Sequence, residues 1–352
     1  MVTVKRQYDH FVDFFRELDD MRRRILSIFW VLCFAAIGTA AATTYDLPEN
    51  PDDNIISQYP DNSAFIRVEQ DETLLDIALR FSLGQEEIVR LNQKVDRWLV
   101  KKGVTVRLAN RRILPDTPRK GITLNLSEYR IYYYPNVEPG MPAQVMSYAA
   151  GIGRVDWKTP LGRTSVIKKI KNPSWYPPES IRREHARDGD FLPRVVPPGP
   201  HNPLGAYALY LALRSYLLHG TDIDKIYGIG MQITHGCVRM YPNDIEALYR
   251  MVAVGTPVYI VKQPIKVGWL DGTLYIEAHP GLEGEEMASD RLYAMALRLI
   301  RKATDEEMPA FDQKALDLTL QTLDGEPVPI LRKTVPQKTD SMELDNFTEP
   351  YQ

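Results

Sequence analysis

Thr234-His235-Gly236-Cys237-Val238-Arg239-Met240 holds the one cysteine that lies outside an apolar N-terminal run, and Leu218-His219-Gly220-Thr221 places a histidine eighteen residues before it. The thiolate of a cysteine, not the thiol, is the nucleophile. An imidazole nearby can take that proton and later return it to a leaving amine, which is the requirement of Cys-His acyl transfer. Gly236 lets backbone approach a ligand closely, and Arg239 offers a fork for a carboxylate. A buried cysteine acting as a small hydrophobe is the ordinary alternative, but Gly236, His235 and Arg239 are poor core neighbours.

An upstream His-Gly, a gap, then Ser or Thr followed by His-Gly-Cys and an arginine two residues later resembles the active-site signature of the L,D-transpeptidases (the YkuD-type catalytic domain). The match runs through His219-Gly220-Thr221 and Ile229-Gly230-Met231-Gln232-Ile233-Thr234-His235-Gly236-Cys237-Val238-Arg239-Met240. The resemblance implies Cys237 as nucleophile, His219 as proton donor and acceptor, and a backbone carbonyl just after His219 that fixes its tautomer. It places the Gly236 and Cys237 N–H groups at an oxyanion hole and gives His235 a supporting role. Arg239, Thr234 and Gly220 become substrate-binding candidates. Zinc held by His219, His235 and Cys237 fits no familiar ligand spacing and would remove the nucleophile, so neither metal nor cofactor is expected.

The N-terminus bears on compartment. Arg22-Arg23-Arg24, the apolar run Ile25–Gly38 and Thr39-Ala40-Ala41-Ala42-Thr43 read as a secretory signal cleaved after Ala42. The acidic residues between Met1 and Asp20 are foreign to such a leader, which points to initiation at Met21. From Ile25 to Ala42 the run also approaches a membrane span, leaving an inner-membrane anchor as the second reading. Either way the enzyme faces the periplasm, and membrane contact follows only if the signal stays uncleaved. Cys33 leaves with a cleaved signal, so the processed chain carries one thiol and no partner for it.

The remaining composition sets bounds. The chain has 352 residues, 44% hydrophobic and 25% charged, enough for two or three domains. A net charge of −3 provides no basic field for nucleic acid. Residues 43–63, rich in Pro, Asp and Asn, read as a linker. Residues 64–115 read as strand, helix, helix, strand and resemble a LysM peptidoglycan-binding module, with Asp71-Glu72-Thr73-Leu74 lacking the usual opening glycine. Both glycan binding and a spacer role stay open, and removing 64–115 is expected to spare the chemistry on soluble peptides.

Residues 120–263 carry many short alternating segments and one convincing helix, Asn243–Val252, as in a sandwich or barrel. The fold class expected is therefore multidomain α+β, a mostly-β sandwich-like catalytic domain plus a small βααβ domain. Proline-dense Asn172–Pro178 and Val195–Gly205 must be ordered loop or lid. Residues 264–352 open with a hairpin turning at Asp271-Gly272, continue with a helix over Arg291–Ala303, and end in a polar tail. His10, His185, His201 and His279 lie in no comparable cluster and read as surface residues.

The similarity extends over roughly Ala64–Ile276 to enteric-type periplasmic enzymes that attach lipoprotein to peptidoglycan. It implies attack of Cys237 on a tetrapeptide stem, release of D-alanine, and transfer to an amine of a second stem (a 3-3 cross-link) or of an outer-membrane lipoprotein. Water as acceptor, giving an L,D-carboxypeptidase, and a non-catalytic peptidoglycan-binding protein are the other readings.

Overall fold

The computed structural model describes residues 43–58, 64–137, 140–306 and 308–333. The signal or anchor, the Met21 start, Cys33, His10 and the polar tail lie outside the described residues. Strands β1 (Thr43–Asp46) and β2 (Ile55–Ser57) come first. The βααβ unit follows as β3 (Phe65–Arg67), α1 (Leu74–Arg80), α2 (Gln85–Leu91) and β4 (Thr105–Arg107). Next come β5 (Arg111–Ile113), β6 (Gly121–Asn125), β7 (Arg130–Tyr134), β8 (Gln144–Ala149), β9 (Ile152–Gly153) and β10 (Gly162–Lys171). Helix α3 (Glu179–Arg187) precedes β11 (Tyr207–Leu211), β12 (Leu217–His219), β13 (Gln232–Thr234) and β14 (Val238–Arg239). Then come α4 (Pro242–Met251), β15 (Pro257–Val261), β16 (Ile265–Leu270), β17 (Thr273–Ala278), α5 (Ser289–Ala303), α6 (Gln313–Thr322) and β18 (Val328–Arg332).

The mostly-β expectation of a sandwich or barrel takes the form of a nine-stranded sheet in the order β1-β8-β7-β6-β15-β10-β11-β12-β14, curled on itself. Alternation along these strands puts Ile122, Leu124, Ile131, Tyr148, Val166, Leu209, Leu218, Val238 and Ile260 into one core with Ile245, Leu248 and Val252 of α4. A flat sheet this wide would leave much of that face wet, and each such side chain gains about 1.5–3 kcal/mol from burial. The sheet therefore twists and curls. It comes round so far that Gly151, just past β8, exchanges hydrogen bonds of 2.8 and 2.9 Å with Arg239 in β14 at the opposite edge.

Residues 43–58 are not a free linker. β1 pairs antiparallel with β8, and β2 pairs with β5. Tyr45 and Ile56 are buried with Tyr132, Tyr134 and Val145. The Pro/Asp/Asn punctuation is real, but the apolar pairs between the breaks are enough for short strands. The βααβ order is as read, with β3 antiparallel to β4 and Thr73 capping α1 through Asp76 Nα at 3.0 Å.

The C-terminal unit has the expected hairpin, with Asp271 (φ 49°) and Gly272 (φ 71°) both left-handed as a two-residue turn of this kind requires. The helix over Arg291–Ala303 is α5. Helix α6 and strand β18 were not legible, because Pro329 argues against a strand. The sheet order β16-β17-β18 resolves this by putting it on an edge strand. Among the described residues, no helix is long and apolar enough to cross a membrane.

Two buried charge clusters join the three units. Glu87 of α2 pairs with Arg112 and, at 2.7 Å, with Arg130 of β7. Lys266 Nζ lies 2.8 Å from Glu128 and 2.7 Å from Glu277, whose Oε1 also meets His279 Nε2 at 2.6 Å. His279, read as a surface residue, is thus buried; its sequence neighbours gave no sign of the carboxylate two residues back folding under it. Burial would raise the Glu87 carboxyl, but Arg112 and Arg130 overcome it and hold it at about 2 against an ordinary 4.5. A depressed carboxyl stabilises the fold above its unfolded value and loses that contribution as pH falls toward the folded one.

Two outcomes follow from these clusters. Denaturant midpoints of the wild-type protein should fall between about pH 4.5 and pH 2 as Glu87 protonates. Lys266→Met, which strands two buried carboxylates, should cost about 3–5 kcal/mol at pH 7 in the same measurement. A loss under about 1 kcal/mol would mean that the cluster is already neutral.

Candidate active site

A short parallel pairing brings the cysteine and the histidine to one face of the sheet. In β12 and β14, Leu218 lies opposite Val238 and His219 opposite Arg239. Leu218 and Val238 point into the core. The period of two along a strand then puts His219, Arg239 and Cys237 on the other face. Met240 N–H donates to His219 O at 2.9 Å, holding the pairing one residue further.

His219 is buried, and its Nδ1 lies 2.7 Å from Gly220 O. A carbonyl can only accept, so Nδ1 carries the hydrogen and Nε2 is the basic nitrogen. Gly220 O is thus the backbone carbonyl just after His219 that the resemblance implied, and Gly220, also named as a substrate-binding candidate, orients the imidazole. It is enclosed, since a Cβ there would lie 3.3 Å from both Ile245 and Leu204 O. Burial pushes the imidazole down to about 3, helped by the Arg239 charge and opposed by the Gly220 hydrogen bond.

Cys237 keeps part of its surface open to solvent, though protein surrounds the sulfur on most sides. That crowding pushes the thiol up to about 11, against the Leu217 backbone N–H and the Arg239 charge, which favour the thiolate. The thiol donates to Ser215 O at 3.5 Å. Ser215 has φ 72° in the β11–β12 turn, where Tyr216 N–H bonds Leu213 O at 3.2 Å. A positive φ at the third position of a turn ordinarily selects Gly or Asn, and here the strained serine aims its carbonyl at the sulfur.

The loop before the cysteine is stapled internally. Thr234 Oγ1 donates to Cys237 O at 2.6 Å and accepts the Gly236 N–H at 3.2 Å. The Gly236 N–H is therefore engaged inside the loop rather than open to a substrate oxygen, contrary to the oxyanion reading. Thr234 is buried, and its hydroxyl holds the loop. Gly236 needs its left-handed φ of 96°, and Thr159 Oγ1 donates to its carbonyl at 2.8 Å while accepting the Gly153 N–H at 3.0 Å. Thr159 was not singled out, because a lone threonine in a Gly/Pro loop carries no signal of the contact it will make.

His235 turns away from the thiol. Its ring stands edge-on to Trp157 at 5.3 Å, and its Nε2 lies 3.4 Å from Glu184 of α3, which also pairs with Arg154. Burial lowers its pKa, with the Arg154 charge adding to this and Glu184 opposing it. His185, read as a surface residue, sits 6.0 Å from the same ring. His235 thus ties the catalytic loop to α3, a helix the proline-dense flanks concealed. Among the described residues, the grouping of His, Cys and carboxylate donors close enough for a metal is Glu128, Glu277 and His279. His219, His235 and Cys237 do not converge in that way.

The excursion between β10 and β11 is ordered by what its prolines lack. Asn202 is buried and its Nδ2 donates to Pro173 O at 2.9 Å and Pro197 O at 3.1 Å, carbonyls with few backbone donors nearby. Trp175 and Val196 exchange hydrogen bonds of 2.9 and 2.8 Å across it. Tyr176 stays exposed. Arg239 is half-buried, and its Nε has no hydrogen-bond partner among the described residues. Burial lowers its pKa, while the neighbouring Asp222 carboxylate opposes that.

A neutral thiol beside a neutral imidazole has a kinetic signature. Alkylation of Cys237 should rise about tenfold per pH unit from pH 6 upward, without a plateau before about pH 11. A rate already level between pH 6 and 8 would instead indicate a resting thiolate–imidazolium pair.

A model of the L,D-transpeptidase catalytic domain, YkuD, matches residues 119–260. The chain is 34% identical over 311 residues to the probable L,D-transpeptidase YbiS of Escherichia coli K12, covering 86% of this chain and 98% of that protein. It is 37% identical over 277 residues to the probable L,D-transpeptidase ErfK/SrfK of the same strain, covering 77% and 85%. With the probable L,D-transpeptidase YcfS, also of that strain, it shares 34% over 306 residues, covering 85% and 92%. With relatives so similar over nearly their whole length, the chain is an enzyme of the L,D-transpeptidase family.

Proposed function

We propose that Cys237 forms an acyl-enzyme with a peptidoglycan tetrapeptide stem and transfers it to an amine. The shared face of His219 and Cys237, with Nδ1 fixed by Gly220 O, carries this reading. As the sulfur attacks the L-centre carbonyl of the third stem residue, Nε2 of His219 takes the thiol proton. Both groups rest neutral, so proton transfer accompanies attack rather than preceding it. Charge develops on the carbonyl oxygen beside the Cys237 N–H. The imidazolium is held in a buried site facing Arg239, so it passes its proton to the departing D-alanine nitrogen as the C–N bond breaks. A thioester remains. An acceptor amine then attacks it, its proton returns through His219 to the sulfur, and an amide is formed.

Arg239 suits a substrate carboxylate, since it is a half-buried guanidinium with its Nε unpartnered. The acceptor is read as the amine of a second stem or of a lipoprotein lysine, with water giving a carboxypeptidase as the second reading. The ordered excursion beside the catalytic loop, held through Glu184 and His235, favours transfer by limiting water. The basic-then-apolar run before Thr43, read as a signal or an anchor, supports a periplasmic setting for this chemistry.

The βααβ unit is read as a LysM-like module. Its order of elements supports this, and Trp98, 65% exposed in the loop after α2, offers a face for sugar stacking. Trp98→Ala should then cosediment less with sacculi while leaving soluble-peptide turnover unchanged. Unaltered sedimentation would make the unit a spacer.

The deciding experiment incubates the protein with a disaccharide-tetrapeptide and follows both by mass spectrometry. The expected result is a thioester on Cys237 and free D-alanine, both absent in Cys237→Ala, with transfer when a second stem or a lysine-ended peptide is added. Tripeptide as main product despite abundant amine would make the enzyme a carboxypeptidase. Absence of adduct and of D-alanine would remove the acyl-transfer reading.

A further inference from the structure

The βααβ unit is packed against the segment that leads into the catalytic loop. Two first-turn N–H groups of α2 have no partner within the helix, and they donate outward: Gln85 N to Ile229 O at 3.0 Å and Glu86 N to Gly230 O at 3.4 Å. Gly84 and Gly230 meet backbone to backbone. A Cβ on Gly230, which has φ 81°, would lie 2.3 Å from Gly84 Cα. Leu79 and Ile226 pack on Ala149, Ile229 and Tyr241, and Tyr241 OH donates to Leu83 O at 2.9 Å. Glu87 clamps the arrangement, accepting the Gly84 N–H at 3.0 Å while pairing with Arg112 and Arg130 of the central domain. Directly after Gly230, Met231 O accepts the Ile152 N–H at 2.9 Å, and β13 then runs through Thr234 into the stapled turn at Cys237.

We infer that Gln85 and Glu87 are positioning residues for acyl transfer: through Ile229 and Gly230, the βααβ unit sets where the segment leading through β13 to Cys237 lies. This rests on the acyl-transfer reading for its consequence in turnover. It reverses the expectation that residues 64–115 could be removed without touching the chemistry. The unit contributes hydrogen bonds and packing to the loop itself, so it is part of the catalytic frame and not a tethered accessory.

Gln85→Pro in the full chain tests the role at its narrowest point. Proline is tolerated at the first helical position and suits the extended Gly84 before it (φ −74°, ψ 147°), yet it deletes the donor to Ile229 O. Gly84→Ala is the second variant, since its Cβ, 3.2 Å from Gly230 Cα, wedges the two backbones apart while keeping every donor. In whichever variant stays folded by circular dichroism, kcat for soluble tetrapeptide should fall roughly tenfold or more with KM within about twofold, because small misplacements cost rate more than binding. The alkylation rate of Cys237, read on its peptide by mass spectrometry, should change several-fold as the crowding around the sulfur relaxes. A lower melting temperature with unchanged Cys237 alkylation in folded variants would overturn the inference, leaving a purely structural contact. Alkylation needs no substrate, so it judges the positioning role even if the wild-type protein releases no D-alanine, the result that would remove the acyl-transfer reading instead.

Discussion

Two rungs of parallel pairing, Leu218 with Val238 and His219 with Arg239, hold the site together. Parallel neighbours cannot be joined by a tight hairpin, so the chain makes a crossover between them. That crossover, through Ile229 and Gly230, is where the βααβ unit makes contact. The same pairing forms the last edge of the nine-stranded sheet, and the Gly151–Arg239 bridge closes that edge back on β8. Curling buries one face as core and leaves the other face of β12 and β14 lined by His219, Cys237 and Arg239. The placing of His219 and Cys237 on one face is thus a consequence of how the sheet closes.

Electrostatics at this edge favour neutrality. Burial disfavours both thiolate and imidazolium, and Arg239, which helps the first, further disfavours the second. Both groups therefore rest neutral, the state from which the proposed attack would start. In two clusters away from this edge, buried charge is matched by opposite charge. Glu87 between Arg112 and Arg130, and Lys266 between Glu128 and Glu277, join the flanking units to the central sheet with a directionality that apolar packing lacks. Breaking one member of such a cluster is costly even where the whole contributes little net stability.

Much of this was legible before the fold was known. Strands β6, β7, β8, β10, β11 and β15, the helix that became α4, the Asp271-Gly272 hairpin and the βααβ order all follow from periodicity and turn chemistry, which act over a few residues. The two- and three-residue strands β9, β12, β13 and β14 around the site are too short to show a period. Cys237 and His219 stood out because that residue pair, beside Gly236 and Arg239, makes chemical sense and little packing sense. Other readings turned on contacts that no local pattern announces. Thr234 and Gly236 bond each other inside the loop, Glu277 folds against His279 only two residues on, and residues 43–58, read as linker, form strands with β8 and β5. Thr159, Glu184 and Ser215 were passed over because their partners Gly236, His235 and Cys237 lie tens of residues away.

Sequence by itself pointed to the family, to Cys237 and His219 as the candidate pair, and to many of the local elements, because residue identity and short-range periodicity are written in the chain directly. Only the tertiary structure decided that the sheet is single and curled, that Gly220 O sets the His219 tautomer, and that His235 belongs to α3 rather than to the thiol. It likewise decided that the βααβ unit bears on the catalytic loop. These are facts about which donors and charges meet across loops of tens to hundreds of residues, and such meetings are settled by closing the sheet and satisfying its buried polar groups, not by any pattern along the chain.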